Sequence, residues 1–280
     1  MRARITTVAL LWILTQVPRL LAAALPAREP APAEPGSILI VGESAQDQRG
    51  QRPSMVYLWN GRKRDTLVLQ APRQAQRVGV AKCMAINRDG QEYLLNGNRN
   101  TIVRVDKGGE TTVFTHATYV RDVALDNADD IYFSEASGAG NGGKIYRLRA
   151  DKGKPATAEL VCTVPLANVR FWAGDFAFGR QAGGTVDPDT IYLSSGNLVG
   201  ASVYRMTRQA DGWTRPQQVF QAKTTIGGLL LASPREAYYV TGNRVFRLTD
   251  LQNPEVVLTL PAGSHLTDLL LLPSGRKAKR

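Results

Sequence analysis

The chain has 280 residues, 43% of them hydrophobic, and a formal net charge of +11; it can bury a large core in one or two domains, and its lack of sustained 3.6-residue periodicity argues against a helical bundle. The excess charge does not describe a nucleic-acid-binding face. Arg2, Arg4 and Arg19 lie in a leader, Arg276, Lys277, Lys279 and Arg280 in a terminal tail, and Arg104, Arg147, Arg205 and Arg247 at a repeated strand position, and these eleven account for the whole excess of 35 basic over 24 acidic residues. Phosphate recognition needs positive charge gathered on one face, so no nucleic-acid partner is expected.

The N-terminus carries two arginines, an apolar run from Ile5 to Val17, and the small residues Ala22, Ala23 and Ala24. That order predicts a secretory signal peptide over 1–24 with cleavage near Leu25. A membrane anchor is the competing reading, weakened because Gln16, Pro18 and Arg19 interrupt the apolar run. The expected location is therefore periplasmic or extracellular, with no stable membrane span after cleavage. Residues 25–36, "LPAREPAPAEPG", read as a Pro/Ala linker. A folded domain is expected over 37–273 and a basic tail over 274–280. Cys83 and Cys162 are too few for a disulfide framework.

From residue 37 onward the chain spells one pattern repeatedly, and fixed-period repetition signals a solenoid or propeller. A leading apolar strand occurs as "KCMAIN" from Lys82, "RDVALD" from Arg121, "GDFAFG" from Gly174, "GGLLLA" from Gly227 and "TDLLLL" from Thr267. A second strand and turn follow as "YLLNGN" from Tyr93, "YFSEAS" from Tyr132, "YLSSGN" from Tyr192 and "YYVTGN" from Tyr238, with "LIVGES" from Leu39 a looser copy. Third strands read "IVRV", "IYRL", "VYRM" and "VFRL", with "VYLW" from Val56 standing in, and a fourth apolar run ends each unit. The leading column falls at Cys83, Asp122, Asp175, Gly228 and Asp268, in steps of 39, 53, 53 and 40 residues. Four strands per unit and five units predict an all-β propeller, with a sixth blade the alternative. Its first blade is split: the C-terminal "HLTDLLLL" supplies the inner strand to the N-terminal "ILIVGE", "MVYLW" and "DTLVLQ". Such pairing removes the exposed edges that an open array would leave.

The stretch "RDVALDNADDIYFSEASGAGNGGKIYRL" resembles a blade of the gluconolactonase, strictosidine-synthase-like and NHL-repeat propellers. The resemblance implies a propeller with ligands bound at one channel mouth, and it carries a lactonase or hydrolase as the alternative function. In those enzymes a divalent metal is held at the mouths of the inner strands. The corresponding positions here are Lys82, Arg121, Gly174, Gly227 and Thr267, none a good hard-metal ligand. No metal and no cofactor is expected.

The mouth where the chain runs into the inner strands should gather Lys82, Arg121, Asp122, Trp172, Asp175, His265 and Asp268, the candidate ligand-binding residues. His116 falls in the same loop set, and Glu43, Ser44, Asn96, Asn98, Glu135, Asn197 and Asn243 in a second set at that end. Asp122, Asp175 and Asp268 can be a cation or acid/base cluster or can accept backbone N–H groups of their own blades; their recurrence favours the second. The Arg column can bind anions or span neighbouring strands, and recurrence again favours structure. His116 and His265 offer a general-base pair of the kind paraoxonase-like propellers use. No G-x-S-x-G, H-E-x-x-H or P-loop motif supports other chemistry. The function expected is binding of a small molecule or protein partner by a monomer, with Lys82 and Arg121 favouring an anionic or carbonyl-bearing ligand.

Overall fold

The computed structural model describes residues 37–43, 54–59, 67–70, 81–87, 91–96, 100–106, 109–116, 118, 120–135, 143–149, 157–165, 172–197 and 200–272. The signal segment, linker and basic tail read from the sequence fall outside them, as do the side chains of Lys82, Cys83 and Trp172. The described residues form a five-bladed β-propeller. Blade 1 contributes β1 (Ile38–Glu43), β2 (Ser54–Trp59) and β3 (Leu67–Gln70); blade 2 is β4 (Ala81–Ile86), β5 (Glu92–Asn96), β6 (Thr101–Asp106) and β7 (Gly109–Thr115). Blade 3 is β8 (Val120–Leu125), β9 (Ile131–Glu135), β10 (Gly143–Leu148) and β11 (Ala158–Val164). Blade 4 is β12 (Trp172–Arg180), β13 (Val186–Asn197), β14 (Gly200–Gln209) and β16 (Gln217–Ala222), with a two-residue β15 (Gly212–Trp213) on β14. Blade 5 is β17 (Gly228–Ser233), β18 (Glu236–Thr241), β19 (Arg244–Thr249) and β20 (Gln252–Thr259), and β21 (His265–Leu271) returns to pair with β1. All sheet neighbours are antiparallel, and the blade count is five rather than six.

The split blade is as the sequence predicts. Ile38 lies opposite Leu271, Leu39 opposite Leu270 and Glu43 opposite His265. The innermost strands β21, β4, β8, β12 and β17 each touch the next, and β17 touches β21, so the ring is closed.

Blades lie face to face, so both faces of most strands are buried, and strands such as "IYF" read as continuous apolar runs rather than as alternation. The period of two sends successive side chains to opposite neighbours. Ile131 and Phe133 of β9 pack toward blade 2, whereas Tyr132 between them packs toward blade 4. Ile191 and Leu193 of β13 face blade 3, and Tyr192 faces blade 5. Five apolar clusters result, one at each blade junction. A fully buried side chain such as Phe133, Ile191 or Leu231 contributes about 1.5–3 kcal/mol, so these junctions, not surface ion pairs, hold the ring.

On four inner strands the ladder slips at the Asp column. Pairing jumps between Ala81 and Met84 in β4, Val120 and Val123 in β8, and Trp172 and Phe176 in β12, while Thr267 is skipped in β21. Each slip is a β-bulge, which leaves backbone groups unpaired and turns a side chain off the ladder. Blade 5 has no slip there and carries glycines instead. A Cβ at Gly228 would lie 2.7 Å from the Asp268 Cα of the adjacent inner strand, so glycine is what permits that close approach.

Candidate functional site

The bulges decide what the Asp column does. With the ladder broken, Asp122 folds back so that Oδ1 accepts the Val123 N–H at 2.8 Å, while Oδ2 accepts the Phe176 N–H of blade 4, also at 2.8 Å. Asp268 accepts its own Leu269 N–H at 2.7 Å. Both carboxylates are buried, 7% and 9% exposed, and line the central channel. Asp175, less buried, accepts from the Ser194 hydroxyl at 3.4 Å. These are backbone and hydroxyl acceptors that replace lost strand pairing, and Asp122 also ties blade 3 to blade 4. Among the described residues no three His, Cys, Asp or Glu side chains converge as metal ligands.

Below the column the channel opens into a cavity of about 770 Å³ walled by the inner strands. Its sides are the inner strands, with Phe176, Phe178, Leu229, Leu231, Leu269 and Leu271 in the lining; the first five are buried in the blade-junction clusters, and the exposed lining is nearly evenly polar and apolar. It reaches the turns that follow the inner strands, where Asp126, Asp129, Arg180, Thr185 and Glu236 join the lining. Asp126 is occupied by its own turn, accepting the Ala128 and Asp130 N–H groups and the Tyr132 hydroxyl. Glu236 accepts from the Tyr238 hydroxyl at 2.7 Å and pairs with Arg247 at 2.7 Å. Arg180 donates from Nε to the Leu231 carbonyl at 3.2 Å and from NH1 to the Gly184 carbonyl at 3.0 Å, and burial pushes its pKa down.

Of the seven residues predicted from sequence, Asp122 and Asp268 line this cavity. Arg121 and His265 are exposed at the opposite mouth, with Asp175 half-buried there; Lys82 and Trp172 hold strand positions at that end. Gly174, at φ +108°, lies so close to the Arg121 stem that a Cβ would meet it at 2.3 Å. The structure does not join the two histidines. His265 begins the inner strand of blade 1, whereas the His116 ring stacks on Phe114, lies tilted against Tyr146 and meets Phe133 edge-on, and its Nε2 lies 3.1 Å from Glu135. Burial raises the Glu135 carboxyl, but hydrogen bonds from His116, Tyr146 and Thr118 outweigh it and hold the group below its ordinary value. The Tyr146 hydroxyl donates to Glu135 at 2.9 Å, and burial with that carboxylate pushes its pKa up to about 12.

The Arg column is structural. Arg104, Arg147, Arg205 and Arg247 stand directly opposite Tyr93, Tyr132, Tyr192 and Tyr238 on the neighbouring strand. Arg147 also reaches Glu159 on the outermost strand at 2.8 Å, spanning three strands of its blade. Trp213 donates its indole N–H to the Val161 carbonyl of blade 3 at 3.1 Å. Two residues escape the repeat pattern. Asn127 donates to the Val186 carbonyl and accepts the Val186 N–H, locking the blade 3 turn to blade 4. Arg180 follows "GDFAFG" at the position held by Arg88, Asn127, Ser233 and Pro273 in the other units. That variation at one repeat position was the available signal.

No protein-family model and no curated protein matches the sequence. Solved structures do match the fold. A gluconolactonase from Xanthomonas campestris superposes with a TM-score of 0.51 at 11% identity, over 84% of this chain and 79% of the other. A structural-genomics target provisionally described as a gluconolactonase gives 0.49 at 15% identity, covering 85% and 82%. Virginiamycin B lyase from Staphylococcus aureus gives 0.42 at 16% identity, covering 81% and 74%. The likeness is one of fold.

Proposed function

We propose that the protein is an exported propeller that binds a small organic molecule in its central channel without transforming it. The observation that carries this reading is the cavity of about 770 Å³ between the inner strands. Its size falls within the roughly 300–1,000 Å³ of small-ligand pockets, and its lining offers polar and apolar surface in nearly equal share. Asp122 spends both carboxylate oxygens on backbone N–H groups, which argues for a rigid wall rather than a reacting group. The opposite mouth belongs to the same proposal, with Lys82, Arg121, Trp172, Asp175 and His265 as its rim above Asp122 and Asp268.

A thermal-shift screen of small molecules on the full chain tests the reading. Hits are re-measured on Ala232→Trp, which fills a position lining the cavity, and on the double variant Lys82→Ala with Arg121→Ala. Loss of binding in folded Ala232→Trp supports the channel, and loss in the double variant adds the rim. Hits indifferent to both would sink the proposal. Stoichiometric Ca²⁺ or Zn²⁺ in protein purified without chelators would favour a hydrolase instead. Export is tested by N-terminal sequencing: a secreted form beginning near Leu25 supports it, and one retaining Met1 counts for an anchor.

A further inference from the structure

Among the described residues Arg180 is the one cation lining the cavity, and both its hydrogen-bond partners are neutral. The Arg180 guanidinium bonds to two carbonyls, Leu231 on blade 5 and Gly184 in its own turn, and among the described residues no carboxylate pairs with it. Five carboxylates share the described lining, Asp122, Asp126, Asp129, Glu236 and Asp268; Asp126 accepts from its turn and Tyr132, Glu236 from Tyr238 and Arg247, Asp122 from two backbone N–H groups and Asp268 from the Leu269 N–H. An arginine has five N–H donors, and the two carbonyls take one from Nε and one from NH1, leaving three, both on NH2 among them. Burying a cation with no direct ion pair is costly, and burial lowers its pKa. The cavity it lines offers polar and apolar surface in nearly equal share.

We propose that Arg180 is the anchor of a carboxylate ligand, and that the channel takes an amphiphilic monocarboxylate, its head on the guanidinium edge and its apolar body along the inner strands. A planar carboxylate matches the fork geometry of the remaining N–H groups, and a hydrocarbon or aromatic body meets the apolar half of the lining. This inference rests on the channel being the binding site; it adds the chemical class and the residue that selects it. Because Arg180 also bridges blades 4 and 5 through Leu231, a purely structural clamp is the competing explanation, and the test must separate the two.

Octanoate and octanamide are titrated calorimetrically into the full chain and into Arg180→Met and Arg180→Lys. They share a body and differ in head charge, so octanamide reports on the channel and the preference for octanoate reports on Arg180. The expected result is binding of both, octanoate at least tenfold tighter, with the preference lost in Arg180→Met, partly kept in Arg180→Lys, and octanamide affinity unchanged. Equal affinity of the wild-type chain for the two would overturn the anion site and leave the channel standing. Failure of both to bind would overturn both. If Arg180→Met does not fold, the wild-type preference and its retention in Arg180→Lys decide the matter; a preference abolished by Arg180→Lys at unchanged melting temperature would also count against a simple charge anchor.

Discussion

The two ends of the central channel carry charge in opposite ways. At the end where the chain runs into the inner strands, Asp122 and Asp268 sit at a position that recurs around the ring, and backbone N–H groups from broken ladders occupy them. At the other end Arg180 holds a position where the other units carry Arg88, Asn127, Ser233 and Pro273, and its two bonds go to neutral carbonyls. A polar residue that recurs with the repeat solves a problem every blade shares, here the bulge. A position that varies from blade to blade answers to something else. In a repeat protein the varying position is therefore the better guide to a ligand.

Four experiments press on that contrast. Deleting the chain from His265 removes the inner strand of blade 1 and with it Leu266 and Leu269, which pack at the junction with blade 5; the expected result is loss of cooperative unfolding by calorimetry, whereas removing only Arg276–Arg280 should leave the melting temperature unchanged. Equal behaviour of the two truncations would refute closure through β21. Next, Asp122→Ala strands two backbone N–H groups in the interior, at an expected cost of about 2–4 kcal/mol in urea unfolding, while Arg121→Ala beside it should cost under about 0.5 kcal/mol because its head is exposed. Comparable losses for the two would dissolve the distinction between column and rim.

A smaller effect is expected at Glu135. Its folded pKa is lowered, so near that pKa the unfolded chain holds more protons than the folded one. The stabilisation is then complete above the ordinary carboxylate pKa and lost as pH falls through the lowered value. Glu135→Gln should cost about 1 kcal/mol or less at pH 7, and its melting temperature should converge on wild type between pH 5 and pH 3. A gap that stays constant with pH would show that charge is not the source. Smallest of all is Cys162, a buried free thiol whose pKa burial pushes up to about 12. It should resist Ellman's reagent at pH 8 in the native protein and react once unfolded; prompt native reaction would mean that the junction of blades 3 and 4 opens readily.

The strand order was legible because four copies of one pattern fix the blade and a fifth, divided between the ends, fixes the closure. The structural roles of the Asp and Arg columns were legible for the same reason. What escaped was anything set by side-chain direction. A bulge such as that at Arg121–Asp122 decides which residue turns into the channel and which toward solvent, and strand periodicity carries no sign of it. His116 and His265 looked like partners because they occupy equivalent loops, yet ring position assigns them to different junctions. Arg180 carries no repeat signature, because its position varies from unit to unit, as Arg88, Asn127, Ser233 and Pro273 in the others.

The register that seats Ile38 against Leu271 makes the first strand wait for the last. At about 5–20 residues per second of synthesis, the roughly 230 residues between them separate the two strands by some 10 to 45 seconds. Throughout that interval "ILIVG" has one ladder edge with no native partner, which is the condition under which strands recruit neighbouring chains. The danger in this molecule therefore lies in its manufacture more than in its finished form. Ser37 and Leu272 are already joined by a hydrogen bond of 2.9 Å, so a permuted chain with those ends linked and new termini between blades 1 and 2 would make every blade from contiguous sequence and abolish the wait.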